Sequence, residues 1–231
     1  MSEIAYRIQS IRSQQYYSSD AKALVGRNIR AARRNEFTFV VSISVKNPRR
    51  NPFRDHLCTG TLITKQHVLS AAHCMRCSLV LCRVIVGSTI LSEGKRYKIE
   101  SWINYQQWAQ EHNKEVEYID NDITIITLER RVTEANVEPV VLTTLNDDNL
   151  IGSNVVIASW GLGNDGVLCT HLQTVQLRVL TREQCQREIE ASEGEEIGPV
   201  PHSVICTKAN PYALLGGVNI NALYSHTFSI T

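Results

Sequence analysis

The sequence has no marked excess of either charge and no long apolar run. Twenty-four Lys and Arg balance 23 Asp and Glu, which leaves a formal net charge of +1. This near balance argues against nucleic acid and anionic membrane surfaces as partners, because both attract proteins with a basic excess. No apolar stretch approaches the roughly 20 residues of a membrane span. We therefore expect neither nucleic acid nor membrane among the partners.

The first 20 residues lack the apolar centre of a signal peptide, which by itself predicts a cytoplasmic protein. The cysteines point the other way, because seven are more typical of an oxidising compartment. The odd number also leaves at least one thiol outside any intramolecular pair. We give more weight to the cysteines and predict an extracellular protein. The seven are Cys58, Cys74, Cys77, Cys82, Cys169, Cys185 and Cys206.

Short β-branched segments follow one another along the middle of the chain, and Gly, Pro, Asn and Asp separate many of them. Several short strands with turn signals between them predict an all-β barrel or sandwich. One helix is predicted, from about Thr181 to Ala191, where Thr181 and Gln184 have the spacing of a capping box. The predicted strands are FTFVVSISV, CRVIVG, YKIESWI, DITIITL, PVVLT, NVVIASW and LQTVQLRVL.

Two polar residues in this β-rich chain have the types and surroundings of a catalytic pair. His73 ends the stretch LITKQHVLSAAHC, and Asp122 opens the apolar segment DITIITL. A general base needs an acid to orient it, and a buried carboxylate needs a partner such as an imidazole N–H. Each residue alone is a weak signal, since a histidine before a cysteine is more often structural. Together they indicate a base and its orienting acid.

These segments resemble the trypsin/chymotrypsin-like serine proteases of the S1 family, of the insect type. LCTGTLITKQHVLSAAHC is similar to the histidine block of that family, and DNDITIITL to its aspartate block. ALVGRNIRAARRNEFTFVVSI resembles the mature N-terminus, and ASWGLG the entry to the second barrel. The resemblance implies two closed Greek-key β-barrels and peptide-bond hydrolysis without a cofactor. It assigns His73 as the general base and Asp122 as the residue that orients it.

The resemblance also implies two disulfides, Cys58–Cys74 and Cys185–Cys206. Cys77 and Cys82 are placed to close a small extra loop, and Cys169 has no evident family partner. A zinc site is an alternative for His73 and its neighbours, because Cys74-Met-Arg-Cys77 has the spacing of a metal-binding pair. No second pair of that spacing exists, so we predict no metal.

The family's nucleophilic serine lies in a GDSGGP loop about a dozen residues after the cysteine that Cys206 matches. Here the sequence after Cys206 reads TKANPYALLGGVNINALYSHTFSIT and contains no glycine-flanked serine. Ser225, beside His226, is the nearest substitute, but it lacks the tight glycine turn that exposes a nucleophile. Ser70 is interpreted as a buried hydroxyl that supports the histidine loop. The resemblance therefore predicts a member of the family without its nucleophile and oxyanion donors.

We accordingly predict residues 1–23 as a pro-segment or an incomplete N-terminus and residues 24–231 as a peptidase S1-like domain. Within it, the first barrel spans about 24–142, a partial second barrel about 143–206 and a divergent tail 207–231. The predicted function is that of a serine endopeptidase in a truncated form. The predicted partners are protein or peptide substrates and protease inhibitors. The alternative is a non-catalytic homologue, a pseudoenzyme that binds or regulates without cleaving.

Overall fold

A computed structural model describes residues 25–26, 28–46, 55–75, 77–114, 122–142, 147–162, 168–193, 198–200, 205–210 and 213–214. Strands dominate these residues. In chain order they are β1 (Val25–Gly26), β2 (Arg30–Ala31), β3 (Val40–Val45), β4 (His56–Leu62), β5 (His67–Ser70), β6 (Cys82–Val86), β7 (Lys95–Asn104), β8 (Thr124–Leu128), β9 (Asn154–Leu162), β10 (Leu168–Val179), β11 (Thr207–Lys208) and β12 (Ala213–Leu214).

Six of these strands form a closed antiparallel barrel in the order β3-β4-β5-β8-β7-β6. Its interior is filled by apolar side chains from alternating strand positions, as the period-2 side-chain arrangement of strands requires. Val41, Val68, Tyr97, Ile126 and Leu128 are all fully buried there. The β-branched segments therefore form strands because one face of each lines a common core.

A glycine lets two strands of this barrel come close together. At Gly60 in β4, an added Cβ would lie only 2.8 Å from Val68 Cγ1 of β5. A larger residue would push β5 outwards, and β5 is the strand that leads to His73. Gly60 therefore helps to set the position of the histidine.

The second half of the described chain forms a four-stranded sheet. The long strand β10 pairs with β9 along one edge and with β2 and β11 on its other edge. Val155, Ile157, Val175 and Leu177 build its core. A separate two-stranded ribbon joins β1 to β12, with Val25 opposite Leu214. The all-β, double-barrel class predicted from the sequence is confirmed by this architecture and by the structural neighbours reported below.

Three α-helices interrupt the strands of the described chain: α1 (Tyr105–Glu111), α2 (Asp147–Leu150) and α3 (Arg182–Glu193). The prediction of α3 is confirmed, together with its capping box. The Gln184 N–H donates to Thr181 Oγ1 at 3.1 Å, and the Thr181 N–H donates to Gln184 Oε1 at 3.0 Å. Within the described residues, no helix is long and apolar enough to cross a membrane.

One predicted strand is wrong. The described part of PVVLT, residues 139–142, is not in a sheet and makes a single backbone contact, from the Val140 N–H to the Leu62 carbonyl at 2.9 Å. Val141 is 91% exposed and Leu142 is 55% exposed. β-branched composition favours a strand only where the side chains can pack on a neighbour, and no strand among the described residues covers Val141 or Leu142.

Candidate active site

His73 lies where β5 leaves the barrel and enters a short turn. The strand ends at Ser70, and Ala72–Cys74 form a single turn of 3₁₀ helix. Cys74 is disulfide-bonded to Cys58 of β4, with a Cα–Cα distance of 6.0 Å. The turn that carries His73 is therefore tied covalently to the barrel wall.

Asp122 reaches the same place from the adjacent strand. It lies two residues before β8, and β8 pairs with β5 so that Thr124 is opposite Ser70. The Ala72 N–H donates to the Asp122 carbonyl at 3.2 Å and extends this pairing beyond the strand ends. Strand register thus brings the histidine and the aspartate together across 49 positions of sequence.

The Asp122 carboxylate holds the histidine at two points. Oδ1 accepts the His73 backbone N–H at 2.8 Å, and Oδ2 lies 2.5 Å from His73 Nδ1. Two contacts from one carboxylate fix both the backbone and the ring, so the imidazole cannot rotate without breaking one of them. Both side chains are mostly buried, at 22% and 18% exposure.

This contact assigns the tautomer of the ring. A carboxylate accepts, so Nδ1 carries a hydrogen, and Nε2 of the neutral ring is left as the acceptor. Nε2 lies 3.3 Å from Cys74 Sγ and 4.0 Å from Cys58 Sγ. Both sulfurs belong to one disulfide and carry no hydrogen, so they are near neighbours of Nε2 and leave its lone pair available. The pair has the geometry of a general base with its orienting acid.

Of the two candidate serines, Ser70 lies among the described residues and Ser225 does not. Ser70 is fully buried, and its Oγ donates to the Thr59 carbonyl at 3.2 Å, which links β5 to β4 beneath the histidine turn. Ser225 and His226 lie outside the described residues, as does Leu24 at the start of the proposed mature chain.

The structure pairs six of the seven cysteines. Cys185 and Cys206 are bonded, with Cα atoms 5.9 Å apart, and they anchor α3 beside β11. Cys77 and Cys82 close the loop before β6, also at a Cα–Cα distance of 5.9 Å. Cys169, in β10, belongs to no disulfide in the described chain. Cys58–Cys74 and Cys185–Cys206 are the two pairs that the family resemblance implied, and Cys77–Cys82 closes the small extra loop considered separately.

A metal could be considered at this site because donor atoms of Cys58, His73 and Cys74 lie within 4.8 Å of one another. The two sulfurs are bonded to each other, however, and a disulfide offers no thiolate for a metal. The donor set in the disulfide-bonded protein therefore does not fit a zinc ion.

His56, the first residue of β4, was not among the residues predicted from the sequence. Its Nδ1 lies 2.8 Å from Ser42 Oγ, Ser42 Oγ lies 2.8 Å from Ser44 Oγ, and its ring packs edge-on against Trp160 of β9. Burial lowers the pKa of His56 to about 4. The available sequence signal was the pair of serines at alternate positions of an otherwise apolar strand, which marks a polar contact on its outer face.

These features match known proteins along most of the chain. The family described as Trypsin matches residues 27–216. The chain is 31% identical over 133 residues to a chymotrypsin of Phaedon cochleariae, an alignment covering 55% of this chain and 47% of that protein. It is 33% identical over 165 residues to a venom serine protease of Polistes dominula, covering 66% of this chain and 54% of that protein.

Solved structures show the same fold. Mouse neuropsin, a serine protease, aligns with a TM-score of 0.59 at 18% identity over 78% of this chain and 73% of its own. Human heparin binding protein aligns with a TM-score of 0.57 at 23% identity over 78% and 71%. The fold and the site thus define a disulfide-bonded, double-barrel protein of the serine protease class. The chain belongs to the trypsin family, and it spans about half the length of the curated relatives it matches.

Proposed function

We propose that His73 and Asp122 are the general base and the orienting acid of a serine endopeptidase that acts on protein or peptide substrates outside the cell. The two-point contact between the Asp122 carboxylate and His73 carries this proposal. A structural role alone would need one hydrogen bond to the ring. The second contact, to the backbone N–H, also holds the backbone that carries the ring, so the two contacts together set the direction in which Nε2 points.

In such an enzyme, Nε2 takes the hydroxyl proton of a serine while the serine oxygen bonds to the scissile carbonyl carbon. The imidazolium that forms is stabilised by Asp122 at Nδ1. Nε2 then returns the proton to the leaving amine as the carbon–nitrogen bond breaks. His73 serves as base and acid in turn, and Asp122 keeps its negative charge throughout.

We further propose that residues 1–231 by themselves do not cleave peptides. After Cys206 the sequence has no serine flanked by glycines, and Nε2 lies beside sulfur atoms in the described chain. The base and its acid can polarise water, but preorganised oxyanion donors usually supply the largest part of acyl-transfer catalysis. Their loss together with the serine leaves activity at background.

A second candidate function is binding without cleavage. The missing glycine-flanked serine supports it, and one structural neighbour is named as a heparin binding protein. Retention of the complete His73–Asp122 pair supports the first candidate instead, because a binding module does not need an oriented base.

A fluorophosphonate probe tests the proposal. Residues 1–231 should not be labelled, whereas a version in which residues 207–231 are replaced by the serine-loop half of a trypsin-family enzyme should be. In that version His73→Ala should abolish labelling. The matched change His67→Ala should not, since His67 contacts Thr64 at the start of β5, whereas His73 follows the end of that strand.

Labelling of residues 1–231 that disappears with both Ser225→Ala and His73→Ala would contradict the proposal and make Ser225 the nucleophile. Absence of labelling in the chimaera, despite a folded barrel, would favour the binding function.

A further inference from the structure

The edge of β9 that faces away from β10 has no strand partner among the described residues. β9 pairs with β10 from Asn154 to Leu162, while β2 and β11 occupy the opposite edge of β10. An open edge offers a row of N–H and C=O groups for another strand. With nine residues, β9 is longer than the roughly five or six residues of a typical strand.

Both faces of β9 are nevertheless covered. Val155 and Ile157 are buried in the core of the second sheet. Ala158 and Trp160 are buried in another cluster, with Val40 and Leu172. Edge strands usually carry charges, prolines or other features that prevent pairing. The sequence NVVIASWGL has no charge and no proline, so it lacks the features that protect an edge from pairing with another strand.

The chain holds a segment of matching pattern. From Val218 to Ile230 the side chains alternate over 13 positions, which is the period of a half-buried strand. One set is mainly apolar, and the other is mainly Asn, Ser and Thr, with Leu223 as its exception. The first set is Val218, Ile220, Ala222, Tyr224, His226, Phe228 and Ile230; the second is Asn219, Asn221, Leu223, Ser225, Thr227 and Ser229.

We propose that the open edge of β9 is a strand-acceptor site and that its occupant is the chain's own segment Val218–Ile230. The mainly apolar set would cover the core of the second sheet, and the polar set would face water. The segment carries no acidic, lysine or arginine side chain to oppose pairing with an uncharged edge. It has four more residues than β9, so up to four can extend the connection from Leu214, where β12 is held by β1.

Pairing of Val218–Ile230 with β9 would complete the second sheet. It does not require the proposed catalytic role of His73.

Hydrogen–deuterium exchange on the full chain tests it. In the unmodified protein, amides of residues 218–230 should be protected, and those of β9 should exchange as slowly as those of β10. The triple variant Ile220→Lys/Tyr224→Lys/Phe228→Lys should make the β9 amides on the open edge exchange at least about tenfold faster. The matched triple Asn219→Lys/Ser225→Lys/Thr227→Lys places the same charges on the other set and should leave them unchanged.

Exchange of β8 serves as an internal control for folding of the first barrel, and light scattering reports the mass. Complete exchange of residues 218–230 in the unmodified chain would overturn the proposal without any variant. Equal effects of the two triple variants on β9 would also overturn it. So would β9 protection that vanishes on dilution of a dimer, because a second copy would then supply the strand.

Discussion

The two halves of the described chain differ in how completely they close. β3 to β8 form a barrel in which every strand has two neighbours, and both His73 and Asp122 leave from its rim. The second half is a four-stranded sheet in which β9 has one strand neighbour among the described residues. The pair of His73 and Asp122 is therefore complete, because the register between two neighbouring strands of one barrel brings both residues together.

The same large-to-small substitution in each half should give the clearest difference in unfolding free energy between them. Ile126→Ala in the closed barrel and Ile157→Ala in the second sheet remove the same atoms from almost fully buried positions. We expect Ile126→Ala to cost about 4 kcal/mol of unfolding free energy, because a closed barrel cannot collapse around the cavity. Ile157→Ala should cost about 2 kcal/mol, because a more open sheet relaxes further.

Native-state hydrogen exchange, read separately at β8 and β10, measures these costs. Ile157→Ala should lower protection of β10 and leave β8 close to its original value. If each variant lowered both regions by the same amount, the halves would unfold as one unit and the comparison would fail.

Elements whose formation depends on local sequence pattern were predictable from the sequence. Elements that depend on tertiary contacts were not. The pairing of His73 with Asp122 was predictable because both belong to blocks that resemble a family. The helix α1 was missed because β7 runs into it without a glycine or proline. Its start is instead set by a capping box, in which the Gln107 N–H donates to Asn104 Oδ1 at 2.8 Å.

The wrong strand at residues 139–142 and the overlooked His56 share a physical cause. Val141 has the composition of a strand residue, but no strand in the part of the chain that the structure describes covers it. His56 is polar, but the fold places it against Ser42 and Trp160. Which side chains meet across the two halves is set by tertiary packing, and a single sequence does not specify those contacts.

The pH dependence of stability should expose the His56 contact between the halves. Its pKa is about 4 in the folded protein, lowered by burial from 6.5, so the unfolded chain binds more protons between these values. The contribution to stability is complete above pH 6.5 and is lost as the pH falls towards 4. The whole window amounts to about 3 kcal/mol.

Urea unfolding from pH 4 to pH 7, followed by tryptophan fluorescence, measures this slope. His56→Gln should flatten it, whereas His67→Gln should keep it. If the unfolding free energy of His56→Gln still fell with pH at the original slope, other groups would cause the dependence and the prediction for His56 would be wrong.

The smallest expected effect concerns the ion pair that holds β2. Arg30 donates two hydrogen bonds to Glu36, at 2.8 and 2.5 Å, and these contacts lower the pKa of Glu36 to about 2. The stabilisation is present above about pH 4.5 and is lost as the pH falls towards 2. Because the Arg30 side chain is 50% exposed, solvent screening reduces its value to about 1 kcal/mol at most.

Glu36→Gln, followed by urea unfolding at pH 7, tests this value. The same variant should lose the part of the acid sensitivity that lies below pH 4.5. A loss as large as that of Ile126→Ala would mean that β2 is essential to the second sheet, contrary to its two-residue contact with β10.

The central claim is that the first barrel alone assembles the oriented base. Nuclear magnetic resonance of full-length protein labelled with ¹⁵N-histidine tests it directly, through the proton on His73 Nδ1. We predict a strongly downfield Nδ1–H signal that disappears in Asp122→Ala and persists in Ile157→Ala, which perturbs only the second sheet. A His73 ring protonated at Nε2 alone, or a signal lost in Ile157→Ala, would contradict the claim.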